Sequence, residues 1–203
     1  MMTTFILIRK KYFVVVATLI ISMFTLAANA GSPFGASLVV QFKGEGVALE
    51  VIPDEIMSLL PATPILCLKM PMIDPRTGWE IGSGYDCVID LGFDPASGTG
   101  GPVRTAYILN FRGRGALITD SHIAVQPNDW DPQSAIDLGN GAVFPVTHII
   151  SDLPVSPEQN IYKGTGGFHK AAGRVRVSGA NNLQRLGEGI IVFDYLLVVD
   201  FDK

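Results

Sequence analysis

Apolar residues in this chain fall in short blocks, many alternating with polar ones, and glycine, proline, asparagine and aspartate separate the blocks. The clearest alternation is Gly173-Arg174-Val175-Arg176-Val177-Ser178, which puts both valines on one face of a strand and both arginines on the other. In residues 105–112, Tyr107, Leu109 and Phe111 likewise share a face. This stretch and residues 116–125 read as a hairpin across Gly113-Arg114-Gly115. Further strands are expected over 36–42, 47–52, 64–70, 85–91, 143–150, 161–163 and 189–201, with Pro145 marking an edge or a bulge. The one helix-like stretch is 54–60, with Asp54 as its cap and Pro61 as its end. Asp74-Pro75-Arg76-Thr77-Gly78 is a turn signal in which Asp74 caps the backbone. Residues 94–101, 126–141 and 152–160 read as loops. A set of about eight or nine short strands without helical crossovers points to an all-β antiparallel barrel or sandwich.

The N-terminal block has a different character. Arg9, Lys10 and Lys11 precede an apolar run, and Ala28-Asn29-Ala30 supplies small residues before Gly31. That order is the layout of a secretory signal peptide over residues 1–30, followed by a single domain over 31–203. The run, at about 15 residues, is shorter than the roughly 20 a spanning helix needs. The expectation is therefore a cleaved leader, no stable membrane insertion afterwards, and a periplasmic or secreted protein.

Removing the leader changes the charge. Three of the 15 basic residues and none of the 19 acidic ones lie in it, which leaves 12 against 19 and a formal charge of −7. An acidic domain without a basic stripe makes a poor nucleic-acid partner. The two cysteines, Cys67 and Cys87, suit an oxidising compartment, and a disulfide closing that short loop would contribute about 3 kcal/mol. Spacing alone leaves open a disulfide or two separate buried thiols.

Candidate chemistry is sparse. His122, His148 and His169 show no metal-ligand spacing, and no cofactor motif is present. Asp120 and His122, two apart on a strand, would share a face as an acid/base pair or simply as a solvated surface. Asp86 and Asp194 lie in apolar strands. Turned inward, either would have its pKa raised by desolvation and could act as a general acid; the expectation is that both face solvent. Tyr85, Tyr107 and Tyr195 would offer hydroxyls to a ligand or close the core.

Residues 162–179, YKGTGGFHKAAGRVRVSG, resemble the Gly-Thr-Gly-x-Phe signature of the allene oxide cyclase barrel and dirigent families. Residues 73–88, IDPRTGWEIGSGYDCV, are similar to a second pattern of those families, and the long terminal hydrophobic strand also matches. The resemblance implies a small antiparallel barrel of eight strands, with space for side chains or one small ligand. It implies that Gly164, Thr165, Gly166, Gly167, Phe168 and Gly173 form a structural corner in which Phe168 plugs the barrel end. It also implies Cys87 in the barrel wall, and relatives that are often homo-oligomers. Family members act without a cofactor, shaping an unsaturated or phenolic substrate in the barrel. The Glu and Asn that the cyclases use are missing from residues 62–73. The catalytic candidates are then Asp86, Cys87 and Asp194. The reading is an exported barrel that binds an apolar small molecule or a partner, with a cofactor-free cyclase, isomerase or dirigent-like role as the alternative.

Overall fold

The computed structural model describes residues 37–94, 97, 99–153 and 158–202. The leader expected over 1–30 lies outside them. The apolar blocks become β1 (Leu38–Ala48), β2 (Leu66–Ile73), β3 (Glu80–Leu91), β4 (Gly101–Phe111), β5 (Gly115–Thr119), β6 (Ser121–Pro127), β7 (Ala135–Asp137), β8 (Val143–Pro145), β9 (His148–Asp152), β10 (Ile161–Gly164), β11 (Gly173–Asn182) and β12 (Ile190–Phe201). One four-residue helix, α1 (Asp54–Met57), interrupts them.

Eight of these strands close a ring in the order β1-β2-β3-β4-β6-β9-β11-β12, with every neighbouring pair antiparallel. The fold is therefore a closed antiparallel barrel, which settles the choice between barrel and sandwich. The seam joins the first and last strands, with Leu38 opposite Val199 and Val47 opposite Ile190.

Several predicted boundaries differ for local reasons. The two strands expected over 36–52 are one strand, β1, whose register against β2 shifts between Phe42 and Val47. Gly44 sits in that interval at a φ of 139°, so the bulge replaces a break. The stretch 143–150 divides after Pro145: β8 pairs with β7 in a separate ribbon, while β9 joins the barrel. The expected loop 126–141 thus contains β7. Asp54 is the first residue of α1 rather than its cap, because Pro53 occupies the cap position. Asp74 does close its turn, accepting the Arg76 backbone N–H at 2.9 Å.

The strand expected over 116–125 runs unbroken in register against β4, with Ile108 opposite Ile118 and Thr105 opposite Ser121. It splits at Asp120 because its halves have different second partners, β10 for β5 and β9 for β6. Between β9 and β10 the chain leaves β11, and two side chains replace the missing ladder. Asn160 donates Nδ2 to the Val175 carbonyl at 2.8 Å and accepts the Val175 N–H at 2.7 Å. Asp152 accepts the Val177 N–H at 3.1 Å. Buried backbone groups are paired almost without exception, which is why polar residues interrupt the apolar pattern here.

Inward-facing residues of all eight ring strands form the main core. Its lower half, towards Phe111 and Phe201, is filled. Gly84 makes room there, since a Cβ at that position would overlap the Phe42 ring. At that end the 164–168 corner seals the barrel. Thr165 makes one backbone and one side-chain bond with Ala116, donating its N–H to the carbonyl at 2.8 Å while its hydroxyl accepts the Ala116 N–H at 3.0 Å. Gly166 takes a φ of 56°, which favours glycine, and the Gly167 N–H reaches the Arg114 carbonyl at 2.7 Å. The corner thereby turns Phe168 into the core, 5.0 Å from the Phe111 ring and 6.4 Å from Phe201, with the Arg114 guanidinium 5.4 Å from its centroid. Gly173 begins β11 at a φ of 136°.

A second cluster lies outside the barrel wall. Cys67 and Cys87 face each other across β2 and β3 and form a disulfide, with Cα atoms 4.0 Å apart. They are buried with Ala106, Ile108 and Ile118 beneath Ile56, Met57 and Leu60 of the α1 segment. The bridge is part of the outer wall, so it does not face the lumen.

Candidate functional site

The upper half of the barrel remains open, because no counterpart of Phe168 covers it among the described residues. A cavity of about 90 Å³ descends from a mouth walled by Ile65, Leu66, Phe93, Leu183 and Leu186. Its sides are apolar, and three of its lining residues are polar: Asp86 from β3, Asn181 from β11 and Tyr195 from β12. The volume exceeds the roughly 10–15 Å³ one water occupies and falls short of the roughly 150 Å³ of a benzene-sized void. It can hold the end of a ligand whose remainder leaves through the mouth.

Asp86 faces inward, contrary to the expectation that it faces solvent, and is 5% exposed. The reason is strand parity: Cys87 must point outward beneath α1, so its neighbour points into the lumen. Burial raises the Asp86 pKa to about 6, and a hydrogen bond with Thr105 partly opposes the rise. Thr105 belongs to the same inward face of β4 as Tyr107, and its hydroxyl also lies 3.0 Å from the Cys87 carbonyl. One hydroxyl proton cannot serve both acceptors. With Asp86 ionised, Thr105 donates to it. With Asp86 protonated, the carboxyl donates to Thr105 and Thr105 donates to Cys87. The lumen can therefore hold or release a proton without breaking this pairing.

Tyr107 lies directly across from Asp86 in the ladder and is fully buried, and its hydroxyl has no hydrogen-bond partner among the described residues. The Tyr195 hydroxyl accepts from Asn181 Nδ2 at 3.0 Å, while the buried Asn181 Oδ1 has no partner among the described residues. Burial first, and then the charge of Asp86, push both phenols well above their ordinary pKa. They act as neutral hydroxyls.

The other candidates lie elsewhere. Tyr85 is half-buried on the outer wall beside the disulfide. Cys87 is held in that disulfide and carries no thiol. Asp194 points outward, 3.6 Å from Lys43 and 2.6 Å from Gln41 Nε2. Asp120 pairs with Arg104 at 2.7 Å on the outside, and His122 follows it in β6. Two site residues escaped the sequence reading. Thr105 shares the Tyr107-Leu109-Phe111 face, and Asn181 continues the Val175-Val177 alternation past Gly179, so extending the first period by two positions and the second by four would have reached them. Among the described residues no group of three or more His, Cys, Asp or Glu gathers as a metal site, and no helix is long and apolar enough to cross a membrane.

Comparison of the chain with family profiles, curated proteins and solved structures returns no match.

Proposed function

We propose that this protein is an exported ligand-binding barrel that takes an apolar small molecule into its open half. The observation that carries the reading is the apolar cavity ending on Asp86, Asn181 and Tyr195, with an unpaired buried acceptor on Asn181. Ligand sites combine apolar walls with a few convergent polar groups in this way. The disulfide is compatible with an oxidising compartment outside the cytoplasm. The closed eight-strand ring and the Phe168 corner support kinship with the allene oxide cyclase and dirigent barrels.

Native mass spectrometry of protein purified from its host tests the reading, together with thermal-shift screens of lipids and phenols. The expected result is a retained small molecule, and stabilisation by apolar compounds. Preparations that carry nothing and respond to nothing would remove the proposal.

One observation favours a second reading, a cofactor-free cyclase or isomerase. A carboxyl whose pKa is about 6 at the end of an apolar cavity is suited to give a proton to a bound substrate. Turnover that vanishes in Asp86→Asn, while ligand retention persists, would select this reading over simple binding.

A further inference from the structure

Resting on the ligand-binding reading, we infer that the cavity is built for the protonated amine of an amphipathic primary amine, its ammonium group at Asp86 and Asn181 and its apolar chain along the mouth. The wall of the cavity holds an unsatisfied acceptor and a carboxylate. Among the described residues Asn181 Oδ1 is buried and unpartnered, and Thr105 engages one carboxylate oxygen of Asp86. Among the described residues no lysine, arginine or histidine lines the cavity, so the Asp86 carboxylate has no cation of its own. An ammonium group brings three donors and the missing positive charge, and a buried carboxylate is tolerated when it is paired and hydrogen-bonded. Phe93, Phe193 and Tyr195 lie in the same wall, and aromatic rings also favour a cation. A carboxylate ligand would meet Asp86 as a like charge, and an alcohol would leave that charge uncompensated. The size of the cavity agrees: it admits a head group, while Ile65, Leu66 and Leu186 offer the chain an apolar path outward.

The test compares n-hexylamine, hexan-1-ol and hexanoate by isothermal titration on protein from its host, as wild type, Asp86→Asn and Asp194→Asn. Hexylamine is expected to bind wild type at least about tenfold more tightly than hexanol, with no binding of hexanoate, since hydrogen bonds to charged groups exceed neutral ones by that order. Asp86→Asn abolishes the preference. Asp194→Asn, which alters a carboxylate on the outer wall, leaves it unchanged.

A second measurement needs no variant: hexylamine affinity of wild type falls as pH drops through about 6, while hexanol affinity stays level. The titratable groups facing Asp86 are Tyr107 from β4 and Tyr195 from β12, both neutral in that range, and Asp152 on β9 acts on Tyr107. Hexanol binding as tightly as hexylamine, an amine preference that survives Asp86→Asn, or equal loss in Asp194→Asn would each overturn the inference and leave the ligand-binding reading standing. If none of the three binds while a retained molecule is still found, the inference alone falls. If nothing is retained either, both fall.

Discussion

Thr105 and Asp86 meet inside the barrel through one hydrogen bond that persists whichever of them holds the proton. The Asp86 carboxyl titrates at about 6 in the fold against an ordinary 3.8. Between those values the folded chain keeps a proton that the unfolded chain has released, so the group favours the fold most at low pH, and its contribution is lost as pH rises through 6. Asp86→Asn removes this dependence. Relative to wild type, the variant is expected to be unchanged below about pH 4 and to gain up to about 3 kcal/mol above the folded pKa. Urea denaturation of both proteins from pH 4 to 7.5 checks this, and a difference that does not vary with pH would refute it.

The Thr105 hydroxyl holds the same carboxyl down, against the pull of burial. Thr105→Val keeps the shape and removes the donor. The Asp86 titration, followed by carbon-13 NMR of its carboxyl, is then expected to move to higher pH. An unchanged titration would mean that the hydroxyl serves the Cys87 carbonyl instead.

Asn160 completes both backbone groups of Val175 where β9 departs from β11. Asn160→Ala leaves a buried donor and a buried acceptor without partners and is expected to cost about 2–5 kcal/mol. Equilibrium denaturation reads the loss. A cost under about 1 kcal/mol would show that water replaces the side chain.

The Cys67–Cys87 bridge is fully buried under α1. Native protein is therefore expected to resist reduction by dithiothreitol until it unfolds, as judged by alkylation and mass measurement. Replacing both cysteines by alanine costs about 3 kcal/mol in the chain-entropy account of a loop this short. Ready reduction of the native protein would place the bridge at the surface.

Phe168→Ala empties the sealed end of the barrel and loses the contacts with Phe111 and Phe201. The expected cost is about 3–5 kcal/mol, measured by denaturation, while ligand retention at the other end is preserved. Loss of retention at unchanged stability would mean that the ligand sits against Phe168.

The strands were legible in the sequence because their alternation survives intact: the 173–178 stretch became part of β11, and the 105–125 hairpin kept one register. The Phe168 plug was legible from Gly164, Gly166 and Gly167, which let the backbone turn sharply beside it. The divisions at Asp120 and after Pro145 were hidden, since they depend on which distant strand accepts the second set of hydrogen bonds. Asp86 lies on the face opposite to the one expected, for a related reason. An aspartate in an apolar strand takes its side from its neighbours' needs, and the requirement that Cys87 point outward becomes visible only once α1 covers the disulfide. Asn160 and Asp152 read as loop residues because their work is done on another strand's backbone.

The pairing of Leu38 with Val199 fixes the order in which the barrel can be completed. Until β12 arrives, β1 and β11 each present an unpaired row of backbone donors and acceptors, and such rows recruit other chains. A copy shortened before β12 would be an open, adhesive sheet rather than a smaller barrel. Closure is thus an event of β12, which covers the exposed edges of β1 and β11 together when it docks.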